Sequence, residues 1–453
     1  MDRINRRRFL RALSAGGAVY ALGRTPGTVW AQSTGVSGFA DYKALVCVFL
    51  AGGNDAWSVV VPSSDAEYAA YAQSRQNLAI TKDSLLAINP TNADGVLYGM
   101  HPLMGGLKDL FESGRCAVIA NVGPLIEPVT KQQYQAGTVR VPPQLFSHND
   151  QQNQWYTLRG RLQLRTGWAG RVADALAASL GEQQLATGVS LAGNSPWLAG
   201  EIATPYIMGE SGVNEFTGFG SAGPDLQRRL AFERLISSDY DDVYSRAFAD
   251  IQRRAVLYAK LVNDSLAAAP AISTPFPAGS LGTQLKTVAR MIAVRDRLDM
   301  SRQIFFVAAG GFDTHDDQLI DQPGLLSNLS SALAAFHAAT VELGVSQSVT
   351  TFTQSDFGRT LTSNGDGSDH GWGGLQLVVG DAVLGRTFYG QYPVLQIGST
   401  LDIGGGRMIP KISTHQYAAT LARWIGVGDA EMGEIAPNLQ NFAPRYLDFL
   451  PAA

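Results

Sequence analysis

Cysteine, charge and long apolar runs are all scarce in this chain of 453 residues. Its two cysteines, Cys47 and Cys116, cannot build a disulfide framework. Both stand inside apolar runs, so we expect buried thiols, with a disulfide between neighbouring strands as the alternative. No apolar stretch reaches the ~20 residues of a membrane-spanning helix, so no stable membrane span is expected. Internal repeats, charge blocks and low-complexity linkers are also absent from the sequence, and no composition shift marks a domain boundary.

The N-terminus has the parts of an export signal. A basic stretch over residues 5–11 precedes a weakly apolar segment over residues 12–23, with small side chains near Ala31. Paired arginines followed by Phe-Leu are typical of the twin-arginine route. We therefore predict a signal peptide over residues 1–31 cleaved after Ala31, contact with the twin-arginine translocase, and a periplasmic or otherwise exported protein. A disordered basic arm that binds nucleic acid or acidic lipid is the alternative.

Removal of residues 1–31 makes the chain more acidic. That segment holds six arginines and one aspartate, a contribution of +5, so the formal net charge falls from −4 to −9. A nucleic-acid-binding surface needs clustered Lys and Arg, so binding to nucleic acid is not expected. A composition of 45% hydrophobic and 16% charged residues is typical of a globular chain, and we predict one large domain over residues 32–453.

Several short apolar runs predict the strands of a parallel sheet. They are near-continuous rather than alternating, as expected for strands covered on both faces: residues 44–50, 116–120, 304–309, 349–353 and 375–379. Helical patterns lie between them, and one of these spans residues 326–343 and ends at Gly344. On this helix, His337 lies off the apolar stripe and is expected to be exposed. The alternation predicts an α/β fold, a large doubly wound and mostly parallel sheet with helices on both faces.

Metal-ligand side chains follow three of the predicted strands. In open parallel sheets, ligands bind beyond the carboxyl ends of the strands, so these side chains should meet at one edge. Carboxylates and imidazoles hold zinc, manganese or calcium, and we predict one or two divalent ions there. For each residue alone, a helix cap or a hydrogen-bonded turn is the alternative. The predicted metal ligands are Asp55, Asp313, His315, Asp356, Asp369 and His370.

A fourth polar segment, residues 146–155, supplies a candidate nucleophile. Ser147 stands where a helix is predicted to begin, with Asp150 three residues on, which is also the pattern of an N-cap. A hydroxyl at a helix N-terminus beside a metal has its deprotonated form stabilised and can attack an ester. We therefore predict that Ser147 is catalytic, and that Arg359 clamps the non-bridging oxygens of the substrate.

Six motifs along the chain resemble those of a known family. They occur in this order: residues 52–55 (GGND), 147–151 (SHNDQ), 167–171 (GWAGR), 312–315 (FDTH), 356–360 (DFGRT) and 369–371 (DHG). With the twin-arginine leader, they are similar to the exported family catalogued as domain of unknown function 1501, over nearly the whole mature chain. The family's place in the alkaline phosphatase and sulfatase superfamily implies a doubly wound α/β sandwich, and chemistry by analogy only.

The superfamily pattern implies a role for each matching residue. A nucleophile falls on Ser147, and metal ligands fall on Asp55, Asp313 with His315, and Asp369 with His370. Superfamily phosphatases space the earlier Asp and His four residues apart, so Asp317 is an alternative second ligand. Asp356 occupies the place directly after its strand, so either Asp356 or Asp369 pairs with His370. His415 is either the last histidine of the pattern or part of a helix cap.

The resemblance implies an exported, metal-dependent hydrolase of phosphate or sulfate esters that acts on a small-molecule or polymer substrate. Ser147 lacks the Cys-x-Pro-x-Arg setting of sulfatases, which disfavours sulfatase specificity. The irregular ligand spacing favours an alternative, a catalytically degenerate binding or assembly protein on the same fold. A third hypothesis is a carbohydrate-binding surface built on Trp57, Trp155, Trp168 and Trp372.

Overall fold

Fourteen strands occur in the residues that the computed structural model describes, which are 38–92, 94–159, 166–180, 185–213 and 218–452. The predicted signal peptide over residues 1–31 lies outside the described residues. In chain order the strands are β1 (Lys43–Leu50), β2 (Val60–Pro62), β3 (Leu86–Ile88), β4 (Tyr98–Met100), β5 (Cys116–Gly123), β6 (Gly188–Ser190), β7 (Tyr206–Ile207), β8 (Arg302–Ala309), β9 (Val349–Ser355), β10 (Arg359–Ser363), β11 (Ser368–His370), β12 (Gly374–Val379), β13 (Phe388–Tyr389) and β14 (Ile412–Ser413).

Helices separate most of these strands. In chain order the α-helices of the described residues are α1 (Asp65–Arg75), α2 (Gly105–Glu112), α3 (Lys131–Ala136), α4 (His148–Thr157), α5 (Trp168–Leu180), α6 (Gly223–Ser237), α7 (Val243–Ala267), α8 (Ser280–Ala293), α9 (Gln318–Glu342), α10 (Thr414–Ile425) and α11 (Met432–Ile435). None of the helices in this part of the chain combines the length and the apolar character needed to cross a membrane.

Nine of the strands form the central sheet, in the order β13-β5-β12-β9-β1-β8-β6-β7, with β14 also paired to β5. Strand β12 runs antiparallel to both of its neighbours, β5 and β9. The other pairs in this sheet are parallel. The predicted α/β fold with a large, mostly parallel sheet is therefore confirmed, and residues Ser37–Ala453 form one compact unit.

The side chains of β1 alternate between two hydrophobic cores, one on each face of the sheet. Ala44, Val46, Val48 and Leu50 join a core that includes residues of α2, α8 and α9. Their neighbours Leu45, Cys47 and Phe49 join a second core that includes residues of α5 and α10. Because both faces are covered, an apolar residue is favourable at every position of the strand. Cys47 and Cys116 are free and buried, as expected, and burial raises the pKa of Cys116 to about 12.

The environment of His337 differs from the expected one. The helix predicted over residues 326–343 is α9, which ends just before Gly344, a glycine with φ of +69°. His337 on this helix is buried, and its Nε2 lies 2.9 Å from Oδ1 of Asp381 in the segment after β12. That segment covers a helical face that is polar in sequence, so the prediction of an exposed His337 is wrong.

The four tryptophans considered as a carbohydrate surface are all in the interior. Their side chains belong to three separate hydrophobic cores rather than to one face. Each is at most 1% exposed, and this holds for Trp57, Trp155, Trp168 and Trp372. These aromatic side chains therefore stabilise the protein by burial, and the hypothesis of a binding surface built on them is wrong.

Candidate metal centre

Four side chains from three segments meet at one edge of the sheet. His148 begins α4, Asp313 and His315 follow β8, and His370 ends β11. The carboxylate of Asp313 lies in the middle, with the Nε2 atoms of His148, His315 and His370 at 3.3, 3.2 and 3.5 Å from its oxygens. The Nε2 atoms of His315 and His370 are 2.8 Å apart. Three imidazoles thus surround one carboxylate.

The distances from Asp313 to the three imidazoles are close to those between two ligand atoms on one metal ion, although they involve both carboxylate oxygens. Zinc binds imidazole nitrogen at about 2.0–2.1 Å, so two such atoms at a tetrahedral angle are about 3.3 Å apart. The separations around Asp313 range from 3.2 to 3.5 Å, and the shortest contact in the group is 2.8 Å. Ligand atoms of His148, Asp313 and His370 all lie within 4.8 Å of one another. The described part of the chain therefore contains a group that is compatible with a metal ion.

An oxygen atom lies behind each of the three imidazoles. The Nδ1 atom of His148 is 2.6 Å from Oδ2 of Asp356, and that of His370 is 2.6 Å from the carbonyl oxygen of Phe146. For His315, the Nδ1 atom lies 3.4 Å from Oδ1 of Asp369. A backbone carbonyl can only accept, so Nδ1 of His370 carries a proton, and the Asp356 carboxylate favours the same tautomer in His148. This is the tautomer that a metal ligand needs.

Charge in the site also suits a cation. Burial acts to raise the pKa of Asp313, but Arg359 and the neighbouring imidazoles outweigh it, so this pKa lies below its ordinary value. Burial lowers the pKa of His370, and its hydrogen bond to the Phe146 carbonyl offsets only part of that effect. Near neutral pH, Asp313 is therefore ionised and His370 is neutral, the forms that bind metal.

Arg359 lies beneath Asp313 with no solvent-exposed side-chain surface. It donates to the carbonyl oxygens of Gly52 and Gly53, each at 2.8 Å, and to that of Ser368 and the carboxylate of Asp313. These contacts hold the loops after β1 and β8 together. The expected clamp on substrate oxygens is not what the structure shows, because the donors of Arg359 are directed to protein atoms.

The Asp55 carboxylate contacts a separate set of residues rather than the histidines of the cluster. Its carboxylate accepts hydrogen bonds from the Trp57 amide at 3.2 Å, the Ser58 hydroxyl at 2.8 Å and the Gln318 amide at 2.6 Å. It also forms an ion pair with Arg75 of α1, and both side chains are wholly buried. The structure thus supplies a guanidinium where a metal was expected, and within the described residues the contacts of the Asp55 carboxylate do not include the histidines of the cluster.

Two further predicted ligands lie behind histidines. Asp356 is buried directly after β9, where it accepts from the Gly52 amide at 3.2 Å and from Gln152 at 2.9 Å as well as from His148. Asp369 is half-exposed and lies behind His315. Asp356 and Asp369 thus contact the Nδ1 atoms of His148 and His315, on the far side of these rings from Asp313, instead of joining His370 as a second pair of ligands.

The two alternative ligands lie elsewhere. Asp317 is the residue that precedes α9, where it has φ of +51°. His415 is buried in α10, with its Nε2 3.3 Å from the amide nitrogen of Asn438. Burial lowers the pKa of His415 to about 3, so it is a neutral core residue.

Ser147 precedes α4, as predicted, between two residues that contact the cluster. Its hydroxyl donates to Oδ2 of Asp150 at 2.7 Å and makes no side-chain cap bond to the helix. The preceding residue, Phe146, has φ of +75°, which is uncommon for a residue other than glycine. This strained turn directs the Phe146 carbonyl to His370 and presents His148 to Asp313. A nucleophilic role for Ser147 stays a prediction.

His148 is the ligand that sequence reasoning missed. It lies within the 147–151 motif, directly after Ser147, the predicted nucleophile, and it is one of six histidines in the sequence. Its distance along the chain from Asp313 gave no reason to join the two. A histidine in a polar motif at a predicted helix start was the available signal.

Glycine permits the close approach of the loops. Gly52 has φ of +120°, and a Cβ on it would lie 2.3 Å from the backbone nitrogen of Asp313. At Gly358, a Cβ would lie 2.1 Å from the carbonyl oxygen of Gly373. Backbones therefore pack directly against each other beneath the histidines, which excludes a side chain at these positions.

Comparisons with known proteins agree with part of the expected resemblance. Residues 237–430 match the family described as "Protein of unknown function (DUF1501)", which confirms that resemblance for a segment containing Asp313, His315 and His370 but not His148. A search of curated proteins found no match. One matching solved structure is titled "Crystal structure of Ps i-CgsB in complex with k-i-k-neocarrahexaose". It shares 9% identity over 88% of this chain and 77% of that chain, with a TM-score of 0.36.

Proposed function

We propose that this protein is a metal-dependent hydrolase with one divalent ion bound by His148, Asp313, His315 and His370. The observation that carries the proposal is the convergence of three Nε2 atoms on one carboxylate while an oxygen holds each Nδ1. Imidazole nitrogens and a carboxylate oxygen are ligands that zinc prefers, whereas calcium takes six to eight oxygen ligands.

Solvent access to the group supports a catalytic rather than a purely structural ion. The four side chains are 22–46% exposed, so water and substrate reach the ligand atoms. Structural zinc sites are closed, whereas catalytic sites keep a position open. A zinc ion in such a site lowers the pKa of a bound water or hydroxyl and polarises an ester oxygen. The ionised Asp313 and the fixed imidazoles are the groups that this chain contributes.

The superfamily resemblance supports the substrate class, a phosphate or sulfate ester. Either a water molecule or the Ser147 hydroxyl is the nucleophile, and Ser147 is adjacent in sequence to His148. With Asp55 paired to Arg75, the site supports one ion rather than two. The alkaline phosphatase-like version of the α/β fold is part of the same proposal.

Elemental analysis tests the metal centre. We expect about one zinc per wild-type chain, and loss of that zinc in Asp313→Asn and His148→Ala. Asp316→Asn is the matched control, since Asp316 is an exposed carboxylate three residues from Asp313. Zinc-replete wild type should hydrolyse aryl phosphates, phosphodiesters or aryl sulfates, and the two ligand variants should not. Zinc content that is equal in Asp313→Asn and Asp316→Asn contradicts the proposed centre.

A catalytically degenerate binding or assembly protein is the second candidate. It is favoured by the engagement of Arg359 and Arg75 with protein groups, which leaves neither guanidinium directed at a substrate oxygen. This candidate predicts that zinc is retained but that no ester is hydrolysed. The turnover assay on zinc-replete protein distinguishes the two functions.

Export by the twin-arginine route is also part of the proposal, supported by the basic residues 5–11 and the weakly apolar residues that follow. Because that route carries folded proteins, zinc can be loaded before export. Arg6→Lys together with Arg7→Lys should abolish export in a cell with a working translocase. Normal export of this variant contradicts the proposed route.

A further inference from the structure

An open cleft of about 390 Å³ lies along α4, the helix that begins at His148. One wall is α4, the floor is aromatic, and the opposite wall is the segment after β6. A volume of this size falls within the range of about 300–1,000 Å³ for small-molecule sites. The cleft also includes Ala51 and Ala308 at the carboxyl ends of β1 and β8, where ligands of such sheets bind.

The cleft is continuous with the cluster through α4. Gln152 lines the cleft and donates to Oδ2 of Asp356, the same oxygen that holds His148. Asn149, the next residue after His148, lines the cleft with Asn153 and Tyr156. Their spacing of four and three residues places them on one face of the helix. A molecule in the cleft therefore lies against the helix that supplies His148 to the cluster.

The described residues that line the cleft include no charged side chain. They present amides, a hydroxyl and aromatic rings, with Phe306 4% exposed in the floor and Tyr156 half-buried against it, ring centroids 6.0 Å apart. An anionic group gains nothing from such a lining, so a phosphate or sulfate would lie at the metal instead. Neutral hydroxyl groups suit it, because a carboxamide donates and accepts at once.

Several polar groups in the cleft are without a protein partner. Ser195 is 3% exposed, and its hydroxyl oxygen makes no hydrogen bond in the described structure. Across the same part of the chain, the side-chain amides of Asn149, Asn153 and Asn194 form no hydrogen bond to protein. Asn149 and Asn194 are exposed, so water can satisfy their amides, whereas the buried Ser195 hydroxyl without a partner costs about 1–3 kcal/mol, which a bound ligand would offset.

We propose that this cleft binds a neutral sugar ring of the substrate, so that the protein acts on a glycan or glycoside ester. The sugar hydroxyls would bond to Asn149, Asn153 and Ser195, and an apolar face of the ring would lie against Tyr156. This inference rests on the proposed function for the chemistry at the metal. Sugar binding in the cleft can be measured whether or not the protein hydrolyses an ester.

Titration calorimetry on the zinc-replete full chain tests the cleft, with neutral methyl pyranosides of gluco, galacto and manno configuration and their trisaccharides as probes. We expect at least one probe to bind, and Asn149→Ala with Asn153→Ala to abolish that binding. Ser195→Ala should weaken it by about 2- to 10-fold, the value of one neutral hydrogen bond. The melting temperature of Ser195→Ala should equal or exceed that of wild type, because the variant removes an unpartnered buried hydroxyl.

The controls distinguish this inference from the proposed function. Gln132→Ala removes an exposed amide of α3 that does not line the cleft, and it should bind the probe as wild type does. Zinc content and hydrolysis of a small aryl ester report on the metal centre, and both should be unchanged in Gln132→Ala. Sugar binding without zinc or turnover supports the cleft and contradicts the hydrolase. Zinc-dependent turnover with no binding of any probe, or equal binding by the double variant, overturns the cleft proposal.

Discussion

Replacement of Asp356 by asparagine should weaken metal binding without removing a metal ligand. The Asp356 carboxylate accepts from Gly52 at 3.2 Å through Oδ1, and from Gln152 at 2.9 Å and His148 at 2.6 Å through Oδ2. Asparagine has a single oxygen, so it satisfies only one of these two sides. If the oxygen faces Gly52, its NH₂ faces His148, whose Nδ1 must then accept. The imidazole proton moves to Nε2 and points at the metal position.

The expected magnitude follows from these contacts. Loss of a hydrogen-bonded partner behind a metal-binding histidine costs about 10–100-fold in metal affinity, or about 1.4–2.8 kcal/mol. If the asparagine oxygen faces His148 instead, its NH₂ opposes the Gly52 amide, and one buried donor without an acceptor costs about 1–3 kcal/mol. Both arrangements therefore penalise the metal-bound state or the fold by a similar amount.

Competition between the protein and a chromophoric zinc chelator measures this effect. Asp369→Asn is the matched control. Asp369 is half-exposed and lies 3.4 Å from His315, so this variant should lose less zinc affinity than Asp356→Asn. Circular dichroism establishes whether each variant is folded. An Asp356→Asn protein with both the zinc affinity and the unfolding free energy of wild type, or with losses equal to those of Asp369→Asn, would refute the reasoning.

Other predictions concern the fold. Arg75→Met leaves the buried Asp55 carboxylate without its cation and should lower the unfolding free energy by about 3–5 kcal/mol in urea titration, whereas a change below about 1 kcal/mol contradicts the buried pair. In Gly170→Ala, the new Cβ would lie 2.1 Å from a backbone carbon of the facing loop, so its melting temperature should fall measurably, and an unchanged value contradicts this packing. Glu342 accepts two backbone and two hydroxyl hydrogen bonds from the loop before α8, which lower its pKa from 4.5 to about 2. The ionised Glu342 contributes its full stabilisation above pH 4.5, and this contribution is lost as the pH falls toward 2. The difference in urea midpoint between wild type and Glu342→Gln should therefore shrink from pH 5 to pH 3.

The sheet was predictable because its strands are covered on both faces. In β1, even and odd positions enter different cores, so the whole strand is apolar and stands out in the sequence. The carboxyl ends of β8 and β9 then place Asp313 and Asp356 at one edge, as expected for a parallel sheet. Local composition therefore predicts the strands, and the strands in turn predict the sheet edge at which the residues after them lie.

The assignment of each carboxylate was not predictable from spacing. Asp55 and Asp313 both follow strands, yet the first pairs with Arg75, while the second contacts three imidazoles as well as Arg359. His148 joins the site from a helix far away in sequence, and His370 is fixed by a backbone carbonyl rather than by a carboxylate. These outcomes depend on long-range contacts, which leave no periodic signal in the chain.

The turn before α4 affects the site twice within three residues. The Phe146 carbonyl holds His370, and His148 contacts Asp313 from the first turn of the helix that also lines the cleft. A shift of this helix would therefore move a ligand and the support of another ligand together. We therefore expect binding of the proposed ion and of the proposed cleft ligand to be thermodynamically linked. Any factor by which the ion raises the affinity for the cleft ligand is then also the factor by which that ligand raises the affinity for the ion.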